Sequence, residues 1–363
     1  MSGSAAAPAL ARPGLLVRGR RIPVVLPSRR DPRLKLSVVI VALQVLGQTV
    51  LDFKVSIAQI LVTIGVCAAV ELAVTGVRER ALIWPASAIL TGNSVAFILR
   101  ASGTRHGDWW TLHGIEYFVA AALIALLSKY LIRPGGRHVF NPSNAGLVWV
   151  LLVIGPVHVF PQYLWWGPIG APVGAALAVI LLGAIWILRS VRMVGMALAF
   201  LVPFTALVGI FAAAGQSFLA IWHDGPVSGL SYWSNIVLSP EVLIFVFFMM
   251  SDPRTAPRAP RARMAYGALT AVVAAGLLGV QPTEFGIKVA ILASLTVSCA
   301  LVPLIERGRA ALAGRSLAGA LRRPAVVAVA IVAVAAPIDT LALASNEQIS
   351  LIERGLTGTR APQ

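Results

Sequence analysis

Three short motifs hold most of the residues in this chain whose types and spacing could do chemistry. The first is Gly136-Arg137-His138-Val139-Phe140-Asn141-Pro142-Ser143-Asn144-Ala145-Gly146. Asn before Pro is a helix-start signal, with Asn141 as the cap and Pro142 at the first helical position. The free amides and positive dipole end of such a helix can hold an anionic or carbonyl group. Capping explains Asn141 and Pro142 but not Asn144, which lies one turn further in and must face protein or ligand. The second motif is Phe247-Phe248-Met249-Met250-Ser251-Asp252-Pro253-Arg254-Thr255-Ala256-Pro257. Asp252-Pro253 is a turn signal, and Arg254 is placed to pair with Asp252. The third, Ser87-Ala88-Ile89-Leu90-Thr91-Gly92-Asn93-Ser94, sets Thr91, Asn93 and Ser94 inside an apolar run. Polar groups in such a run face a bundle interior, as a site or as bridges between helices. Glu241 follows a break at Pro240 and is a candidate for a substrate or ion pathway, with simple charge pairing as the alternative.

Other chemistries find little support. No nucleophile–base–acid set, phosphate loop or zinc motif is present. His106, His113, His158 and His223 have no metal-ligand spacing, so no metal site is expected. Cys67 and Cys299 lie singly in apolar segments and read as packing residues. Glu71, Glu116 and Asp339 fall near the ends of apolar runs, where snorkelling lowers their cost.

The elements that must position these motifs are set by composition. Of 363 residues, 58% are apolar and 12% charged. A soluble domain carries about 25% charged residues. Apolar runs fall at about 36–51, 55–76, 81–99, 115–132, 140–156, 169–188, 193–213, 237–250, 264–280, 286–304 and 324–342. A membrane-crossing helix needs about 20 apolar residues. The expected fold is therefore an all-α polytopic integral membrane protein whose solvent is the lipid bilayer. The net charge of +16 resides in short loops, without the basic-aromatic interleaving of a nucleic-acid face. No nucleic-acid partner is expected.

Orientation follows from Lys and Arg. With the N-terminus inside and loops alternating, 24 of the 30 cations fall on the cytoplasmic side. The positive-inside rule requires such a bias, and an error of one span would scramble it. Lys54, Arg100, Arg105, Lys288, Arg354 and Arg360 are left outside. Trp109, Trp110, Trp165, Trp166, Trp222 and Trp233, with Tyr117, Tyr163 and Tyr232, read as an outer aromatic belt. A secretory signal is not expected, because arginines follow the short Ala5–Leu10 run rather than precede it.

The third and eighth runs are both broken by proline, at Pro85 and Pro240. Five runs apart, they point to two inverted five-helix repeats and a midplane site. The expected organisation is a disordered basic tail over 1–35 and a membrane domain of about ten helices over 36–305. A basic cytoplasmic loop over 306–323, an extra transmembrane helix over 324–342 and an outer tail over 343–363 complete it.

In order along residues 80–306, these motifs resemble a known family of membrane proteins. It comprises the D-type membrane component of the Rnf ion-pumping electron-transport complex and the B-type membrane component of the sodium-translocating NADH:quinone oxidoreductase. The family's Ser-Ala-Leu-Leu-Thr-Gly is matched by Ser87–Gly92, and its Phe-Asn-Pro-Ala by Phe140–Ser143 except at the last residue. The acid–Pro pair within its Thr-Asp-Pro-Val-Thr is matched within Ser251–Thr255. Tyr266-Gly267-Ala268-Leu269 and Leu301-Val302-Pro303-Leu304-Ile305-Glu306 also fit. Within it, the Asp224-Gly225-Pro226-Val227-Ser228-Gly229 loop and the added C-terminal span look most like the UnbU-type proteins of enediyne biosynthetic clusters.

The resemblance implies a redox-related membrane accessory to polyketide biosynthesis. It implies a non-covalent flavin, FMN or riboflavin, held by Thr91, Asn93, Asn141, Asn144, Asp252 and Arg254. Covalent FMN is not expected. The family carries it on a threonine of an Asp-Gly-x-Ser-x-Ala-Thr loop after the fifth span, whereas Pro156–Pro168 has no Ser or Thr. Val227-Ser228-Gly229 lies on the wrong loop and lacks the threonine. Redox or biosynthetic protein partners are implied in turn. A small-molecule transporter and a membrane scaffold for biosynthetic enzymes remain as alternatives.

Overall fold

The computed structural model describes residues 14–17, 20–28, 31–133 and 136–312, with backbone alone for 14–17, 20–22 and 303–312. Helices dominate, and each of the first ten expected apolar runs coincides with a helical segment. The expected 324–342 span and the 343–363 tail lie outside the described residues.

The helices are α1 (Pro32–Thr49), α2 (Ile57–Glu79), α3 (Ala86–Ile98), α4 (Ile115–Leu131), α5 (Pro142–Ile154), α6 (Ala171–Val191), α7 (Val194–Ala213), α8 (Gly229–Val237), α9 (Pro240–Ile244), α10 (Pro260–Leu278) and α11 (Glu284–Leu312). A π-helical turn over Phe245–Met249 continues α9. Among the described residues, five segments are long and apolar enough to cross a membrane: Ile57–Glu79, Ala171–Val191, Val194–Ala213, Gly229–Met249 and Glu284–Val302. Val77, Leu182 and Val202 stand exposed on three of them. Such faces need an apolar solvent, and the protein is a membrane protein.

Two sequence expectations need correction. The fold is not purely α. Strands β1 (Gly14–Val17) and β2 (Arg20–Val25) pair antiparallel, and β2 pairs parallel with β3 (Leu82–Ile83). Part of the segment that reads as a disordered tail is thus a hairpin, because Leu15, Leu16, Ile22, Val24 and Val25 favour extended pairing. The expected 306–323 loop also begins inside α11, which runs on through Arg307 and Arg309.

Close packing follows small residues. A Cβ on Gly146 of α5 would lie 2.2 Å from the Ala121 carbonyl of α4. One on Gly267 of α10 would lie 2.5 Å from the Met196 carbonyl of α7. Glycine lets these backbones touch, as helix pairs in lipid require. Helix α2 packs on α3 and α4, and α4 on α5; likewise α7 packs on α8 and α10, and α10 on α11. Helices α1 and α6 meet, as do α5 and α11.

Two short helices position the interior. Helices α3 and α5 have 13 residues each. At 1.5 Å per residue each covers about 20 Å, short of the roughly 30 Å hydrocarbon layer. Helix α3 runs directly into a buried strand, β4 (Leu99–Ala101), and α5 is followed after a short loop by another, β5 (Val159–Pro161). The two pair antiparallel, Leu99 opposite Pro161. Their backbone groups satisfy one another inside the protein, the condition for non-helical chain at membrane depth. In the later part, β6 (Ser217–Leu219) pairs with β7 (Pro226–Ser228), and Leu219 bridges to Thr283 just before α11.

Candidate functional site

Asn141 caps α5 as its sequence predicts. Its backbone is extended, and its Oδ1 accepts from Asn144 N at 3.2 Å. Its Nδ2 donates to the Met249 carbonyl at 3.1 Å. That bond ties the start of α5 to the end of the π turn, so the first and second motifs are brought together. Ser143 Oγ donates to Asn141 Oδ1 at 2.9 Å. On α3, Ser87, Thr91 and Ser94 recur at helical spacing, and Thr91 Oγ1 donates to the Ser87 carbonyl at 2.9 Å.

These three motifs, distant in sequence, line one cavity of about 500 Å³. Its wall is mostly apolar: Leu36 and Ile40 from α1, Phe97 from α3, Ile187 from α6, Phe248 from the π turn. Ile98 and Met249 also line it. At the rim, Arg33 grips Asp31 through Nε at 3.0 Å and Nη2 at 2.5 Å. Asp31 also caps α1. The Arg33 guanidinium holds the Asp31 carboxyl below its ordinary range. Across the rim, Asp252 Oδ1 accepts from the Arg254 backbone N–H at 2.9 Å, and Arg137 Nη2 donates to the Arg254 carbonyl at 2.7 Å. The expected Asp252–Arg254 pair is thus a turn contact, and the Arg254 side chain is exposed. Burial lowers the pKa of the His138 imidazole, which the Asp252 carboxylate partly offsets.

Of the six expected ligand residues, Thr91, Asn141, Asp252 and Arg254 line this cavity. Asn93 and Asn144 do not. Asn144 Nδ2 donates to the Leu292 carbonyl at 3.0 Å and to Thr296 Oγ1 at 2.9 Å, both on α11. It is a bridge between helices. Asn93 is buried in α3, and its Oδ1 has no hydrogen-bond partner.

Several contributors are not apparent in the sequence. Asp31 and Arg33 read as part of a tail, although Asp31-Pro32 repeats the Asn141-Pro142 cap signal. Behind the α3 wall, Lys129 Nζ meets Glu71 Oε2 at 2.5 Å, Tyr130 donates to the same oxygen at 2.6 Å, and Lys129 reaches Ser87 Oγ at 3.4 Å. In the sequence Lys129 is only a cation at the cytoplasmic end of a span.

Glu241 lies elsewhere, on a small pocket of about 20 Å³ that it shares with Lys288. Ile98 and Met249 line both this pocket and the large cavity. Lys288 and Arg100 are not the outer-loop cations that charge counting makes them. Each is instead 4% exposed, one turn into α11 and in β4 respectively. Glu284 is fully buried, its Oε1 accepting from Leu164 N at 2.6 Å and its Oε2 from Trp222 Nε1 at 2.8 Å. The aromatic belt is likewise divided: Trp109 and Trp110 are exposed, whereas Trp166 and Tyr232 belong to the core.

Cys67 and Cys299 are free and buried, and Cys299 Sγ contacts Tyr266 Oη at 3.3 Å. Among the described residues no cluster of three or more His, Cys, Asp or Glu is placed to hold a metal. No protein-family model and no curated protein matches the chain.

Proposed function

We propose that this is a multi-pass protein of the cell membrane, N-terminus inside, that holds a flavin-type molecule non-covalently in the 500 Å³ cavity. The observation that carries this reading is the convergence of the three motifs on that one space. Its volume falls in the roughly 300–1,000 Å³ range of small-molecule sites, and such sites are mostly apolar with a few placed polar groups. Phe97 and Phe248 would flank a ring system, and Thr91, Ser94 and Asn141 would meet its heteroatoms. Arg254 and His138 would face a phosphate at the rim. A flavin, when bound, supplies one- and two-electron transfer; the protein supplies binding and orientation. In the setting that the UnbU-type resemblance implies, that activity serves enediyne or polyketide biosynthesis together with redox partners.

Two inverted five-helix sets, ten crossings in all, fit the packing. The α2–α4–α5 arrangement recurs as α7–α10–α11, and the sets meet through α1 with α6 and α5 with α11. The test is a cofactor spectrum of the detergent-purified protein, before and after denaturation, followed by titration with riboflavin and FMN. Released flavin or saturable uptake is expected. Neither on folded protein would reject the reading.

A second reading, a conduit for a small molecule, is favoured by the two residues shared between the cavity and the pocket beneath it. Liposome flux of pathway compounds, with Glu241→Gln beside the parent, tests it. No flux with any compound would remove it.

A further inference from the structure

The pocket between α9 and α11 holds an unusual pair. Lys288 Nζ and Glu241 Oε1 each lack a hydrogen-bond partner, although both atoms are buried. An unmet buried polar atom is costly. The pocket's volume of about 20 Å³ exceeds the roughly 10–15 Å³ that one water needs, and a water requires at least two polar partners. The two unmet atoms are such partners.

We infer that Glu241 and Lys288 bind one water and that Glu241 is a proton-accepting site, charge-compensating the cavity beyond Ile98 and Met249. The charged groups around it are Lys288 and Glu284 from α11 and Arg100 from β4, with Trp166 beside the carboxylate. Two acids and two bases give a formal charge of zero. Both oxygens of Glu284 already accept from N–H groups, which favours its charged form. Oε1 of Glu241 is free. An anionic group that comes against Ile98 and Met249 brings negative charge to one residue layer from the cluster. A hydronium ion from bulk water then gives its proton to Glu241 through the bound water. One O–H bond forms on the carboxylate, one breaks on the hydronium, no electrons move, and the cluster gains one positive charge. Only the coupling to an anion rests on the proposed ligand; the proton site does not.

The test begins without ligand. Infrared difference spectra of the whole protein, titrated with pH, should show a protonated-carboxyl band that is absent in Glu241→Gln, with its midpoint moved in Lys288→Met. If Glu241→Gln fails to fold, Glu241→Asp serves, and should displace the band. A spectrum that neither variant alters overturns the site. With fully reduced FMN, whose ring itself carries negative charge, as probe in weakly buffered solution, a pH dye should report uptake of about one proton per FMN bound to the parent protein, and none with a folded Glu241 variant. FMN binding without proton uptake overturns the coupling. Failure of FMN to bind while the carboxyl band behaves as expected rejects the ligand reading and leaves the proton site standing.

Discussion

The cavity rim and the buried cluster have the same charge inventory in different solvents. Asp31, Asp252, Arg33 and Arg254 stand at the rim, where water remains near. Glu284, Lys288 and Arg100 are buried, and beside them half-buried Glu241 keeps its Oε1 out of solvent. At the rim the acids serve as a helix cap and a turn acceptor, roles an uncharged side chain can share. In the cluster, burial of each ion costs several kcal/mol, so each must be matched or must do something else. The difference shows where charge is local structure and where it is a commitment of the fold.

Breaking the cluster should give the largest effect. Glu284→Ala leaves the Leu164 amide and the Trp222 indole without an acceptor and deprives Lys288 of a neighbouring carboxylate. A loss of about 3–5 kcal/mol is expected, read as a large fall in thermal unfolding temperature in detergent. Asp252→Asn at the rim keeps the acceptor for Arg254 N and should stay within about 0.5 kcal/mol of the parent. Equal losses in the two variants would end the comparison.

Next in size is Asn144→Leu, which removes two bonds to α11 and should cost about 1–3 kcal/mol. Because Asn144 lies outside the cavity, flavin affinity of the folded variant should not change. A weakened affinity at unchanged stability would instead make Asn144 a ligand contact.

Arg254→Gln should leave stability nearly unchanged while sharpening the rim's role. A charged hydrogen bond to phosphate is worth about 1.5–3 kcal/mol, so FMN should bind at least about tenfold more weakly and riboflavin equally well. Parallel losses for both ligands, measured by fluorescence titration, would reject a phosphate contact at this arginine.

The smallest effect concerns pH. His138 has a folded pKa below its ordinary 6.5. The unfolded chain therefore binds more protons in that window, and stability should decline as pH falls below about 6.5 towards the folded value. His138→Gln should flatten that part of the pH–stability curve. Asp31 acts lower, since its folded pKa lies below the ordinary 3.8. Its contribution is present above that value and is lost as pH falls through the folded pKa.

Local signals made much of this legible. Asn141-Pro142 fixed a helix start, and Pro85 and Pro240 marked the breaks that the chain contains. Of the three polar residues that the third motif sets in its apolar run, Thr91 and Ser94 line the cavity and Asn93 does not. What the sequence could not disclose depends on pairing at a distance. Leu99–Ala101 reads as the end of an apolar run and the start of its outer loop until Val159–Pro161 arrives to satisfy its backbone. Lys288 and Arg100 read as outer-loop cations because positive-inside counting sees charge but not burial. Asn144 pointed inward as expected, yet Thr296, more than a hundred residues on, decides that it bridges helices.

The central claim is that the three motifs enclose a site for a flavin-type ligand. Titration of riboflavin fluorescence with purified protein tests it most directly, comparing the parent with Ser94→Trp, which places an indole in the cavity. Saturable one-to-one quenching by the parent, lost in a folded Ser94→Trp, is predicted. A flat titration with the parent, or equal binding by both proteins, would contradict it.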